Sequence, residues 1–125
     1  MGKINEKSKI KEFAYDKHDF ILKYIADKVG WFYEPETDDQ YASVNRIPTS
    51  TENHKYQFCM WYRHGEFLAN SGYYNSGYSS KKHEMNEYSI ADIILMMNQY
   101  EIKQRRKEIN ERKLAILNAA NDYEV

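Results

Sequence analysis

The sequence has little of what marks several specialised classes of protein. Its single cysteine, Cys59, excludes an internal disulfide framework and a zinc site built on cysteines. No apolar run approaches the roughly 18 residues that a membrane-spanning helix needs, and the N-terminus MGKINEKSKI has no hydrophobic signal core. The 18 basic and 19 acidic residues nearly cancel, so bulk charge supports neither a nucleic-acid coat nor a polyanion mimic. We therefore expect a cytoplasmic protein without a membrane attachment.

Signatures of catalysis and of metal binding are also missing. The sequence has no GxxxxGKS or GxxxxGKT phosphate loop, no GxGxxG, no HExxH and no GxSxG. Its four histidines fall in separate predicted elements, and the acidic run 34–39 lacks the glycine of a calcium loop. We expect no metal and no cofactor, and favour a protein that is not an enzyme. An enzyme whose fold joins Asp38, Asp39 and His83 is a third hypothesis.

The length and composition of the sequence predict one α+β domain over residues 1–125, since 42% of the residues are apolar and 15% are aromatic. Residues 1–9 are polar, and we expect them to be flexible. Apolar residues then recur at helical spacing up to Val29, and Gly30 offers a helix stop. Either one helix runs over 5–29, or Asp16 or Asp19 caps a second one; the pattern leaves both open.

From Trp31 onward the pattern predicts a small antiparallel sheet of about four strands. Its best element is a central hairpin over residues 55–71, with His64-Gly65 at the turn. This register places Tyr62 opposite Phe67 and Arg63 opposite Glu66, which are favourable cross-strand pairs. Both faces of the hairpin's first strand are partly apolar. We therefore expect a helix to cover one face, and a helix or a second subunit to cover the other.

A long C-terminal helix is predicted over residues 87–123, because no glycine or proline interrupts Glu87–Tyr123. A break near Tyr100–Lys103 would divide it into two. Its segment 101–113 carries a net charge of +3, whereas residues 31–54 carry −4. One apolar residue recurs every seven positions and predicts an oligomer interface, with a homodimer as one outcome. These residues are Leu95, Ile102, Ile109 and Ile116.

The most unusual stretch is 70–80, in which Asn-Ser-Gly-Tyr occurs twice. Such residues are typical of recognition loops, because tyrosine supplies rigid contact area and the small polar residues adapt their hydrogen bonds. The leading hypothesis is therefore a non-enzymatic protein that binds another macromolecule. The predicted contact residues are Trp61, Tyr73, Tyr74 and Tyr78, with Arg105, Arg106 and Arg112 as charged anchors.

The amino-acid composition also indicates what kind of genome encodes the protein. Lys, Ile, Asn and Tyr, which have AT-rich codons, make up 46 of the 125 residues. A phage or mobile element of a low-GC bacterium fits that bias, and an inhibitor that occludes a host or defence protein is one concrete version. The alternative is a nucleotide or single-stranded nucleic-acid binder. It would use the loop 70–80 with Ser79, Ser80, Lys81 and Lys82, since backbone N–H groups and lysines attract phosphate.

Overall fold

The computed structural model describes residues 4–49, 56–72 and 81–122. A 3₁₀ turn, Ile10–Phe13, precedes helix α1, His18–Val29. The strands and the last helix follow in the order β1 Phe32–Glu34, β2 Ser43–Asn45, β3 Gln57–Arg63, β4 Glu66–Gly72, β5 Lys81–Glu84 and α2 Ile90–Asp122. The α+β class, the N-terminal helix, the antiparallel sheet and the long C-terminal helix are confirmed.

The five strands form one antiparallel sheet in chain order, β1-β2-β3-β4-β5. The predicted hairpin register is confirmed, since Tyr62 pairs with Phe67 and Arg63 with Glu66. At the turn His64 has φ 49° and Gly65 has φ 83°. Two consecutive left-handed residues match the right-handed twist of the flanking strands, so this turn holds the register in place.

The fifth strand, β5, is the element that the sequence did not predict. Its residues Lys-Lys-His-Glu show no alternation of apolar and polar residues. The strand nevertheless pairs with β4, with Ser71 opposite Lys81 and Leu68 opposite Glu84. Strand pairing uses backbone groups, and charged residues are common on edge strands because they oppose aggregation. Residues 70–80 are therefore not wholly a loop, because β4 extends to Gly72.

Of the two arrangements left open for the N-terminal region, the structure has a separate 3₁₀ turn followed by α1. Lys17, and neither aspartate, occupies the N-cap, and Gly30 closes the helix with φ 74° as predicted. Residues 4–9, where polarity suggested flexibility, are attached to the body. The N–H of Ile90 donates to the Ser8 carbonyl at 3.1 Å, and the Tyr24 hydroxyl donates to Glu6.

Helix α2 is continuous over 33 residues, about 50 Å at 1.5 Å per residue, with no break near residues 100–103. Ser89 caps the helix, because the N–H of Asp92 donates to the Ser89 hydroxyl at 3.1 Å. The first turns of the helix are anchored in the core by Ile90, Ile93 and Met97, which are fully buried. The rest of α2 continues beyond these buried turns.

The core lies on one face of the sheet. Side chains of both helices and of alternate strand positions meet there, among them Ile21, Ile25, Val44, Met60, Phe67, Ala69, Ile93 and Met97. The expected helix over one face of β3 is thus confirmed. The other face, which we call the outer face, carries Cys59 and Trp61 and borders a cavity whose far wall is residues 39–41 and Thr49.

Candidate functional site

The heptad-spaced apolar residues form an exposed stripe on α2. Each is at least half exposed, Leu95, Ile102, Ile109 and Ile116 alike. Seven residues fall about 20° short of two full turns, so the four side chains stay within a sector of about 60°. We call this sector, with the basic residues beside it, the outward face of α2. Large apolar side chains aligned in this way are typical of a surface that docks against something.

The basic residues predicted as anchors flank this stripe. At about 100° per residue, Arg105 and Arg112 lie on one side of it, and Arg106 and Lys113 lie on the other; all four are exposed. The Arg105 Nε donates to Glu101 at 3.0 Å, yet its side chain stays 70% exposed. An exposed pair of this kind adds little stability, so Arg105 remains available to a partner.

The acidic residues of the same segment lie on the opposite face of α2, against the body. Arg46, whose side chain is only 7% exposed, donates from Nε to Glu101 and from Nη2 to Glu108 at 3.1 Å. The Tyr56 hydroxyl donates to Glu111 at 2.6 Å. Burial works to lower the pKa of the Arg46 guanidinium, but the two carboxylates outweigh it and raise that pKa.

This separation of charge decides the electrostatics of the helix. The glutamates bind groups of the body, and Lys107 lies over the Tyr56 ring on that side. Arg105, Arg106, Arg112 and Lys113 are exposed on the outward face. Four positive charges are thereby concentrated on the outward face. Because that charge sits beside the apolar stripe, the surface combines a hydrophobic contact with attraction for anions.

The distal part of α2 extends beyond the packed body. All residues from 111 to 120 are exposed, and they include Leu114 at 60% and Leu117 at 59%. A free helix shorter than about 12–15 residues is marginal in water, so this end gains its order from continuity with the anchored turns. Burying one such leucine or isoleucine is worth about 1.5–3 kcal/mol.

Trp61 lies on the other side of the molecule, in the outer face of the sheet. Across the strands Asn45 pairs with Cys59, and Cys59 pairs with Asn70, so these three side chains form one row. They border a cavity of about 320 Å³, which we call the outer-face cavity. Its lining is Asp39, Gln40, Tyr41, Ser43, Asn45, Thr49, Cys59, Trp61 and Asn70.

Two hydrogen-bond donors that border this cavity are bonded to neighbouring side chains. The Asn45 Nδ2 donates to Glu34 at 2.8 Å and to Ser43 at 2.9 Å, and the Thr49 hydroxyl donates to Glu34. The Oδ1 atoms of Asn45 and Asn70 are buried and have no partner among the described residues. An unpaired buried acceptor costs about 1–3 kcal/mol, so these two atoms are the unusual feature of the cavity.

Sequence reasoning missed this cavity, although a signal was present. Ser43, Asn45 and Asn70 are polar residues at alternate positions of strands whose other side chains are apolar. Such a pattern ordinarily indicates a solvated face. Asn45 is instead fully buried, which only the packing of the neighbouring loops reveals.

The structure does not join the predicted contact residues into one surface. Trp61 lies on the outer face of the sheet, whereas α2 packs on the opposite side with Arg105, Arg106 and Arg112 directed outward. Tyr73, Tyr74, Tyr78, Ser79 and Ser80 lie outside the described residues. Lys81 and Lys82 begin β5, where their backbones pair with Ser71 and Asn70. The tyrosine surface and the phosphate site therefore stay predictions.

The placement of the described residues bears on the metal-site and enzyme hypotheses. Within residues 4–49, 56–72 and 81–122, no group of three or more His, Cys, Asp and Glu side chains could hold a metal ion. Asp39 lines the outer-face cavity, while His83, paired with core-facing Ala69, belongs to the opposite face. The third hypothesis, which needs these two together, gains no support from this placement.

Two further findings bear on identity. Over the same described ranges, no helix combines the length and apolar character needed to cross a membrane. No model of a protein family, no curated protein and no solved structure matches the chain.

Proposed function

We propose that this chain is a non-enzymatic binding protein that attaches to an acidic protein through the outward face of α2. By covering that partner's surface it acts as an occluding inhibitor, with a host or defence protein as the target of a phage-encoded or mobile-element-encoded factor. The observation that carries the proposal is the exposed stripe of Leu95, Ile102, Ile109 and Ile116 with basic residues on both sides.

The apolar stripe indicates the mode of contact. A helix that lies in a hydrophobic groove presents its anchors on one face, a few residues apart. Ile109 and Ile116 supply two such anchors at consecutive heptads, and Leu117 extends the face by one side chain. Since residues 111–120 are all exposed, a partner can enclose this part of the helix without displacing the sheet or α1.

Charge identifies the chemistry of the partner. Two copies joined through this face alone would bring Arg105, Arg106 and Arg112 of each chain to one seam, where like charges repel. A protein groove with acidic rims matches these residues instead. Nucleic acid would satisfy the basic residues, but its phosphate backbone offers no counterpart for the isoleucines. An acidic protein matches both features.

The experiment first identifies the partner and then tests the face. A photo-crosslinking amino acid at position 109, expressed in the cells that produce the protein, should yield a discrete adduct with an acidic protein. Affinity for that purified partner is then measured for Ile116→Glu and for Leu114→Glu. The two side chains are 68% and 60% exposed, but Leu114 lies well off the stripe, about 160° from Ile116 at 100° per residue.

We expect Ile116→Glu to weaken binding by at least about tenfold, because a buried charge without a partner opposes docking, and Leu114→Glu to change it little. Replacing Arg105 and Arg106 by Glu should weaken binding further and reduce its dependence on salt. Equal loss in the two glutamate variants, or an adduct only with a second copy of the chain or with nucleic acid, would contradict the proposal. A doubled mass in native mass spectrometry would support the homodimer instead.

A further inference from the structure

We propose that the outer-face cavity is a binding site for a guanidinium group, held by the amide oxygens of Asn45 and Asn70 beside the indole of Trp61. This site is separate from the outward face of α2, because the sheet lies between them. The inference therefore does not depend on the proposed function, and either can fail without the other.

The first argument is hydrogen-bond polarity. The Oδ1 atoms of Asn45 and Asn70 are acceptors without a partner among the described residues, and Asn45 is completely buried. The Asn45 Nδ2 is not available to these oxygens, since it donates to Glu34 and Ser43. Buried polar groups are nearly always paired in folded proteins. What the cavity requires is an occupant that supplies N–H donors.

The second argument is charge. Asp39 lines the cavity, and Glu34 lies behind it, where its carboxylate accepts hydrogen bonds from Asn45 and Thr49. The Glu34 charge reaches the cavity, because it adds to the effect of burial in raising the pKa of Cys59 to about 12. Arg63 lies near the rim, 6.0 Å from the centre of the Tyr41 ring. Two carboxylates favour a cation and disfavour a phosphate or carboxylate ligand.

The third argument is shape. Asn45 and Asn70 lie on the two strands that flank β3, so their backbones are about 10 Å apart at 4.8 Å per strand spacing. A compact ammonium reaches one acceptor at a time across such a gap. A guanidinium is planar, carries five donors directed to opposite edges and stacks on aromatic rings. Trp61, two residues from Cys59 on β3, supplies an aromatic ring beside the row that holds the two asparagines. The cavity volume of about 320 Å³ also accommodates the methylene stem of an arginine.

The test uses the full chain and defined probes. Side-chain amide resonances of Asn45 and Asn70 are followed by NMR while N-acetyl-arginine amide, its lysine analogue or its neutral citrulline analogue is added. We expect saturable shifts with the arginine probe and at least about tenfold weaker binding of the other two, since each lost charge-assisted hydrogen bond is worth about that factor. Absent shifts, or equal binding of the lysine probe, would overturn the proposal.

Variants then tie binding to the cavity. Asn70→Leu removes one acceptor without touching the Asn45–Glu34 contact, and should weaken arginine binding by at least about tenfold. The matched control is Asn110→Leu, an exposed asparagine on α2, which should bind like the original chain. Unaltered binding by Asn70→Leu with a preserved NMR spectrum would refute the assignment. A short arginine-containing peptide that binds more tightly than the amide probe would identify the source as a partner's side chain, and equal binding would indicate a free small molecule.

Discussion

Arg46 and Glu101 form the contact that orients α2 against the sheet. The arginine lies just after β2, is almost fully buried, and donates from Nε to Glu101 and from Nη2 to Glu108, two helical turns later. Because the two carboxylates are seven residues apart on α2, a single guanidinium fixes both the rotation and the tilt of the helix. This rotation is what turns the apolar stripe away from the body.

Replacing Arg46 by Met should destabilise the fold by about 2–3 kcal/mol, since two charge-assisted hydrogen bonds are lost and two carboxylates remain partly buried. The free energy of unfolding from urea melts measures this. Arg105→Met is the matched control, because Arg105 also binds Glu101 but is 70% exposed; its effect should stay within about 0.5 kcal/mol. Equal effects of the two substitutions would contradict the assigned role of Arg46.

The hairpin turn gives a second prediction. Gly65 has φ 83°, and a Cβ at that position would lie 3.3 Å from the hydroxyl oxygen of Tyr15. Tyr15 is 81% exposed and can move aside, so Gly65→Ala should cost mainly the backbone strain of about 1–2 kcal/mol. Gly65→Asn should cost less, because asparagine tolerates the left-handed conformation. Urea melts of both variants test this order, and the reverse order would show that the turn has a different conformation.

The stabilising contact between the N-terminal segment and Glu87 should depend on pH. Glu87 accepts from Lys11 at 2.9 Å and from Lys9 at 2.8 Å, and these hydrogen bonds lower its pKa from 4.5 to about 2. A lowered pKa in the folded state contributes stability above pH 4.5 that is lost as the pH falls towards 2. Glu87→Gln should therefore be less stable than the original chain at pH 7 and equal to it near pH 2. A difference that persists at pH 2 would exclude ionisation of Glu87 as the cause.

Cys59 should be unreactive in the folded protein. Burial, aided by the charge of Glu34, raises the pKa of its thiol to about 12, so it stays protonated well above neutral pH. At pH 8 alkylation by iodoacetamide should be at least about a hundredfold slower in the folded chain than in urea, because the thiolate is the reacting form. Since Cys59 is the single cysteine, intact mass reports its labelling directly. Equal rates in the two states would show that the thiol is accessible.

The sequence was sufficient to predict those features of the fold that depend on a few neighbouring residues. The His64-Gly65 turn specifies the β3–β4 register, because a shift of one residue would move every side chain to the wrong face. Gly30 ends α1, and Ser89 caps α2, for equally local reasons. Strand β5 escaped prediction because its pairing with β4 uses backbone groups that its polar side chains do not reveal.

The two candidate sites likewise have one part that could be predicted from the sequence and one part that depends on the tertiary structure. Heptad spacing by itself placed Leu95, Ile102, Ile109 and Ile116 on one face of a helix, since 3.6 residues make a turn. Which way that face points was decided only by the tertiary structure, because Arg46, which binds Glu101, lies 55 residues away in the chain. The pairing of Asn45 and Asn70 around Cys59 likewise exists only once three strands are aligned. Periodicity along one element is encoded locally, whereas burial and orientation depend on which distant residues the folded chain brings together.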